Sequence, residues 1–354
     1  MDALTTIGIA LASGLVVSGV AGEVVLRVAR RWSLNDRADE AHKSASARVP
    51  NVGGIGIVAG WLAALAVVVV AGGAAWLPAW LVWVVGGALV LHVMGLVDDR
   101  VGLGAWLKLG VQLLVAAVVV VGADVRVLTL MDAMVPGGYV LSCGLTVLWL
   151  VVICNAVNFL DNMDGLASGV SGVAGAVFLA ASLMTGQVDV GVVSACLVGA
   201  ALGFLVHNAP PARMYMGDGG SLVLGFVLGV VSVALTYVGE GEGGTIWYGV
   251  LTPVIVLAVP VYDFVSVVVL RLRAGRSPMS ADRNHLSHRL ERIGLSRPMA
   301  VSLIALLTLA TGLGGVTLSL LTGWQALLVA VQTLAILGLI AMVETLGSSE
   351  AGSE

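Results

Sequence analysis

The chain has 354 residues, of which 59% are hydrophobic and only 11% charged. That charge content is under half the roughly 25% of an ordinary soluble domain, and the mean hydropathy is +1.04. So little polar surface excludes a soluble enzyme, a nucleic-acid-binding domain and a disordered regulator.

A membrane-spanning helix needs about 20 mostly apolar residues, because about 30 Å of hydrocarbon is crossed at 1.5 Å per residue. Eleven segments meet that description: 5–28, 53–71, 77–97, 107–123, 141–159, 166–184, 188–206, 221–238, 246–270, 299–320 and 324–342. The first has no basic stretch ahead of it and carries Glu23 near its end, so it reads as a retained span rather than a cleaved signal. The fourth is the shortest. The abundance of glycine, 47 against 9 prolines, suits helices packed at close range. Cys143, Cys154 and Cys196 lack metal-ligand spacing and read as small buried apolar residues. The expectation is an all-α, polytopic integral membrane protein. One transmembrane catalytic domain covers 1–347, and a short, polar, disordered tail follows over 348–354.

Charge placement orients the chain. All but one of the 17 lysines and arginines fall in one alternate set of loops, and only Arg126 falls in the other. The positive-inside rule then puts the N-terminus outside and the C-terminus in the cytoplasm of the cell's inner, or plasma, membrane.

Five polar clusters lie on that cytoplasmic side. They are His42-Lys43 with Pro50-Asn51-Val52-Gly53-Gly54; Asp98-Asp99 followed by Lys108; and the run from Asn155 through Asn158, Asp161 and Asp164 to Leu166. Next come Asn208 to Arg213, leading into Met216-Gly217-Asp218-Gly219-Gly220-Ser221, and then Asp282-Arg283-Asn284-His285-Leu286-Ser287-His288-Arg289-Leu290. Carboxylates held at membrane depth repel one another unless they share a cation or meet a cationic ligand. Magnesium takes one or two carboxylates and fills its shell with water and substrate phosphates. Acidic ligands beside Lys108, Arg213, His285 and His288 are what a nucleoside diphosphate with Mg²⁺ requires. Near Asp161 the fifth span is expected to loosen into an irregular polar mouth, and Ser221 is placed to cap the eighth.

Plainer readings stand beside these. Asp98-Asp99 can be loop carboxylates, Asp218 among glycines a simple turn, and the Arg-rich ninth loop a lipid-headgroup contact. His92 and His207 read as packing or interfacial residues, and Asp263 with Arg271, two turns on, as a structural ion pair.

In chain order the motifs resemble those of the polyprenyl-phosphate N-acetylhexosamine-1-phosphate transferases, glycosyltransferase family 4. Gly95 to Arg100 with Lys108 resembles the first aspartate motif, Asn155 to Leu166 the second, and Met216 to Leu222 the third. Ser277-Pro278 with Asp282 to Leu290 is similar to the histidine loop of the branch that uses UDP-N-acetylglucosamine. The peptidoglycan branch carries consecutive histidines there instead. The resemblance implies transfer of a sugar-1-phosphate from a UDP-sugar to polyprenyl phosphate, with Mg²⁺, or Mn²⁺ in its place, and release of UMP. It implies Asp218 as metal ligand with Asn158 beside it, and Asp98 and Asp99 at the lipid phosphate. A phosphate monoester has its second pKa near ~6, so positioning is favoured over base catalysis. Asp161, Asp164 and Asn208 would shape the uridine and metal pocket. Lys108, Arg213, His285, His288 and Arg289 would hold phosphates or sugar, with Asn155, His42 and Lys43 also in the substrate-binding set.

The chain departs from the family pattern at Asn162, where Gly is usual, and at Ser287, where the branch commonly has a middle histidine. It also has Ala45 and Arg48 where His and Pro are frequent. These departures leave the proposed metal and phosphate groups intact. The implied partners are the UDP-sugar, the polyprenyl phosphate and the membrane, with a homodimer also compatible and no nucleic acid. The competing readings are a membrane transporter, which should carry midplane charges and repeat symmetry, and an inactive lipid-binding relative.

Overall fold

The computed structural model describes residues 1–32, 49–235, 240–241, 244–245, 251–279, 284–318, 321 and 323–350, side chains at 74, 240–241, 244–245 and 345–350 excepted. His42, Lys43, Ala45, Arg48, Asp282 and Arg283 lie outside the described residues.

Apolar surroundings leave a backbone no partner but itself, so each hydrophobic run closes its hydrogen bonds as a helix. In chain order these are α1 (Ala3–Arg31), α2 (Gly53–Gly72), α3 (Leu81–Val101), α4 (Ala105–Ala123), the short α5 (Met131–Met134), α6 (Gly138–Leu160), α7 (Leu166–Met184), α8 (Val188–Asn208) and α9 (Asp218–Ala234). Then follow α10 (Thr252–Val256), α11 (Ala258–Arg273), α12 (Leu286–Arg292), α13 (Arg297–Thr317) and α14 (Gly323–Glu350). Among the described residues the β structure is a two-residue hairpin, Glu240–Gly241 with Gly244–Thr245, and one bridge between Asn51 and Tyr215. Among the described residues nine helices are long and apolar enough to cross a membrane: α1 to α4, α6 to α8, α13 and α14.

Three expectations are corrected in detail. The ninth predicted span, 246–270, is not continuous: it breaks at Leu257 between α10 and α11. Pro260 has no N–H to return to the carbonyl of Val256, so the ladder cannot run through. The third predicted span sits four residues further on, which brings Asp98 and Asp99 into the last turn of α3. Helix α14 continues to Glu350, into the stretch expected to be a disordered tail.

Helix α9 is the centre of the bundle. Every residue from Gly219 to Val233 is buried, with α2, α3, α6, α7, α8 and α10 packed around it. Close approach depends on missing side chains. A Cβ at Gly95 of α3 would collide with the backbone of Asp218 and Gly219, and one at Gly54 of α2 with Gly219 and Gly220. The outer layer repeats the device: Gly199 and Gly203 of α8 lie on the backbone of α1, and Ser18 donates to the carbonyl of Ala200 at 2.8 Å.

The segment before α2 pairs with the one before α9. Tyr215 N–H donates to Pro50 at 2.9 Å, Gly53 N–H to Tyr215 at 2.9 Å and Gly54 N–H to Met216 at 2.9 Å. This brings Asn51 and the start of α9 to one end of the bundle. The end of α3, the start of α4, the end of α6 and helix α12 meet there too.

Candidate active site

Helix α9 begins without a cap of its own. Its N-cap is Gly217, at φ +69°, where a side chain would strike Asp99 and Asn51. The orphan N–H groups are met from another helix: Asp99 Oδ1 accepts from Asp218 N–H at 3.1 Å, and Oδ2 lies 3.5 Å from Gly219 N–H. Asn51 Nδ2 donates to the same Asp99 carboxylate at 3.0 Å. Asp99 therefore caps α9 in trans. Ser221, expected to be the cap, lies inside the first turn; its hydroxyl donates to Gly217 at 3.0 Å and accepts from Asn158 Nδ2 at 2.9 Å.

Asp218 is the first residue of α9 and the hub of the site. Its Oδ1 accepts from Asn158 Nδ2 at 2.8 Å, and its Oδ2 from Lys108 Nζ at 2.9 Å. The same ammonium lies 2.7 Å from Asp98 Oδ2, while Asp98 Oδ1 accepts from Leu103 N–H at 2.6 Å. Four helices, α3, α4, α6 and α9, thus bring Asp98, Asp99, Lys108, Asn158 and Asp218 into one connected network. Asn155, one turn before Asn158, donates to Gln112 of α4 at 2.5 Å. Sequence reasoning passed over Gln112, although a lone buried amide within an apolar span was the available signal.

The second aspartate motif is split by the helix end. Helix α6 stays regular through Asn158 and ends at Leu160, so loosening begins three residues later than Asn158, at Asp161. Asp164 Oδ2 accepts from Ala212 N–H at 3.0 Å. Buried Asn208 accepts from Gly165 N–H at 2.9 Å and donates to Met214 at 3.0 Å, so it clamps the 209–216 loop onto the start of α7. His92 lies 2.7 Å from the carbonyl of Gly219, which requires Nδ1 to be the donor.

Arg213 and Arg289 are drawn into other contacts. Arg213 donates to His207 Nδ1 at 2.9 Å and lies 3.8 Å from Glu23 of α1, while His207 Nε2 meets the carbonyl of Gly19 at 2.8 Å. Arg289 lies 3.1 Å from Glu344 of α14, 3.6 Å from Asp263 of α11, and donates to Ser266 at 2.6 Å.

Fully buried Asp263 organises the histidine loop instead of forming the ion pair expected with Arg271. Its Oδ1 accepts from Leu286 N–H at 2.5 Å, capping α12, and its Oδ2 lies 3.2 Å from His285 Nδ1. Arg271 lies over Phe159, 5.0 Å from the ring centroid, and donates to Pro278 at 2.7 Å. Phe159 in turn meets His285 edge-on at 5.3 Å. His288, next on α12, lies 3.5 Å from Glu291, whose carboxyl is held below the usual range by its hydrogen bond from Arg297.

Carboxylates, an ammonium and amides from four helices thus converge at one end of an apolar bundle, and comparison with known proteins identifies the family. The model of glycosyl transferase family 4 matches residues 80–236. A Bacillus subtilis protein named probable undecaprenyl-phosphate N-acetylglucosaminyl 1-phosphate transferase is 32% identical over 261 residues, covering 73% of this chain and 71% of that one. The chain belongs to glycosyl transferase family 4. A Mycolicibacterium smegmatis decaprenyl-phosphate N-acetylglucosaminephosphotransferase is 41% identical, covering 63% of this chain and 59% of its own length. An Escherichia coli O157:H7 undecaprenyl-phosphate alpha-N-acetylglucosaminyl 1-phosphate transferase is 28% identical, covering 79% and 75%. The chain thus spans about three fifths of the mycobacterial relative. All three names belong to the branch that the family 4 histidine loop of this chain resembles.

The family resemblance implies a metal, and the donors suit one. Among the described residues Asp98 and Asp218 share a single ammonium, and Asp99 beside them meets backbone N–H groups and Asn51, which leaves the three carboxylates short of positive charge. The donors are hard oxygens. Among the described residues no three His, Cys, Asp or Glu side chains form a self-contained metal cage. Magnesium held by one or two carboxylates and substrate phosphates does not need one.

Proposed function

We propose that this family 4 chain transfers a sugar-1-phosphate, GlcNAc-1-phosphate by its branch, from a UDP-sugar to undecaprenyl or another polyprenyl phosphate, the first step of a lipid-linked envelope polysaccharide. The observation that carries this reading is the network of Asp98, Lys108, Asn158 and Asp218, assembled from four helices at one end of a bundle built to lie in lipid. Polar groups gathered at one end argue against a transporter, which needs them near mid-depth.

An oxygen of the lipid phosphate attacks the β-phosphorus of the UDP-sugar. The new bond is P–O between lipid and sugar phosphates; the bond to the bridging oxygen breaks, and that oxygen leaves on UMP. Asp218, with Asn158 beside it, would hold Mg²⁺ or Mn²⁺, which neutralises diphosphate charge when bound. Lys108 is free to redirect one of its three donors to a phosphate while remaining near Asp98. Asp98 holds that ammonium in place. Because the lipid phosphate is largely ionised at neutral pH, no base is needed, and Asp99 serves as the cap of α9. Asp161 and Asp164 border the entry for the nucleotide, with His285 and His288 on the facing helix. Arg213, Arg289 and Asn208 hold the walls together.

In the proposed topology α9 and α11, of 17 and 16 residues, complete eleven crossings. The N-terminus lies outside and the site at the cytoplasmic face of the inner membrane, as the one-sided distribution of Lys and Arg supports. Cysteine labelling at the N-terminus should react from outside intact cells; reaction only after lysis overturns the orientation.

The activity is tested with purified protein, undecaprenyl phosphate, Mg²⁺ and labelled UDP-N-acetylglucosamine. Labelled lipid and free UMP are expected, and a chelator should stop their formation. No turnover with any of a panel of UDP-sugars overturns the transferase reading.

A further inference from the structure

Helix α12 carries His285 at its N-cap and His288 within it, yet has only seven residues. A helix that short does not hold itself in water; its position is set by what grips it. Asp263 grips the start, and buried Leu286 and Leu290 fill the underside. A further grip comes from the aspartate motif itself. Ser287, 1% exposed, donates its hydroxyl to Asn162 Oδ1 at 2.5 Å.

The Asn162 amide is oriented for this. Its Nδ2 donates to the carbonyl of Phe159 at 2.5 Å, one of the carbonyls left without a helical partner where α6 ends. That bond fixes the orientation of the amide and leaves Oδ1 facing Ser287 as an acceptor. Asn162 stands between Asp161 and Asp164; Ser287 stands between His285 and His288. Residues 125 apart in sequence therefore join the two loops that flank the proposed nucleotide entry. These are also the two positions at which these motifs depart from the pattern they resemble, one gaining a side chain and the other losing a larger one.

We propose that Asn162 and Ser287 are one coupled positioning pair, which fixes the histidine helix against the aspartate turn and so sets how tightly the sugar diphosphate is held. The proposal rests on the transferase reading. The bonds of the pair run to Phe159 and to each other rather than to Asp218, so it governs binding rather than the chemical step.

The test is a double-mutant cycle on the full-length protein, with KM and kcat for UDP-N-acetylglucosamine and amide hydrogen exchange over 286–292. Ser287→Ala and Asn162→Ala should each raise KM by about three- to tenfold, the worth of one net hydrogen bond, with kcat within about twofold. The double variant should be no worse than either single variant, since the second change finds no bond left to break. Exchange over 286–292 should quicken equally in all three. Ser287→Thr, which keeps the hydroxyl, should stay near the wild-type KM. The exchange Asn162→Gly with Ser287→His should recover KM that Ser287→His alone loses. Additive effects, or a Ser287→Ala protein with unchanged KM and exchange, overturn the pairing. A wild-type chain that turns over no UDP-sugar sinks the transferase reading instead, and the exchange measurements then still decide whether the two residues act as one. If either single variant does not fold, the other carries the same comparison with Ser287→Thr.

Discussion

The two ends of the helical bundle hold charge in opposite ways. At one end Arg126 is saturated: it meets Asp124 at 2.8 Å and Asp132 at 2.9 Å, and lies 4.4 Å from the ring centroid of Tyr139. Its neighbours finish the closure, with Ser142 donating to Val127 at 2.6 Å and Thr146 accepting from Val127 N–H at 3.0 Å. At the other end one ammonium, Lys108, serves Asp98 and Asp218, while Asp99 of α3 stands beside them and caps the first turn of α9. Around Arg126 the two carboxylates are open to water, which solvates their excess charge, so the cluster needs no further cation. At the site the three carboxylates are more enclosed, and glycine contacts between α2, α3 and α9 bring them together beside one ammonium and neutral N–H donors. The first arrangement closes a loop. The second is poised for added positive charge and for phosphates that arrive with it.

The largest expected effect tests that imbalance at its hub. Asp218→Ala should lower turnover by roughly three orders of magnitude, the scale of losing a charge-stabilising group at a reacting centre. The protein should still elute as a folded particle in detergent. An active Asp218→Ala variant removes Asp218 from the metal and the chemistry alike.

Next comes the shared ammonium. Lys108→Met leaves Asp98 and Asp218 facing each other without a counter-charge, and breaking such a partly buried network costs up to about 3–5 kcal/mol. Turnover should fall about a hundredfold and the melting temperature should drop. Adding Asp98→Asn should return part of the stability, because it removes one of the two repelling charges, while activity stays low. If the double variant melts no higher than Lys108→Met alone, the two carboxylates do not repel as described.

Asp99 separates capping from catalysis. Asp99→Ala should destabilise by about 1 kcal/mol, the usual worth of a helix cap. Asp99→Asn keeps an oxygen that accepts from the Asp218 N–H and should retain most of both stability and turnover. Equal loss of turnover in the two variants, with melting temperatures intact, would return Asp99 to a base role.

These particulars show what the sequence could and could not convey. Spans were legible because a run of about 20 apolar residues has few other uses. Their ends were not, since hydropathy does not register caps: the start of α9 depends on Asp99, 119 residues away, and the break at Leu257 on Pro260. The residue types of the site were legible from motif order, but their partners were not. No local pattern records that Lys108 lies between Asp98 and Asp218, or that Asp263 serves the histidine loop rather than Arg271. Arg213 and Arg289 are substrate groups by the family resemblance; their partners Glu23, Glu344 and Asp263, unlike His207, lie on helices distant in sequence.

The smallest effect on activity is expected at the Arg126 end. Arg126→Met removes a guanidinium whose own exposure is 7%, while Asp124 is 71% and Asp132 36% exposed. The two aspartates can be rehydrated once released, so the loss is nearer that of a surface pair, on the order of 1 kcal/mol. Thermal melting in detergent should fall by a few degrees at low salt and by less at high salt, because exposed partners are screened. KM and kcat for the UDP-sugar should stay at their wild-type values, since the change can reach Lys108 and Asn158 only along α4 and α6, which remain packed on each other, with α6 also held against α9. A KM shift in Arg126→Met as large as that in Ser287→Ala would mean that the two ends are coupled, and the division between a closing cluster and a working one would fail.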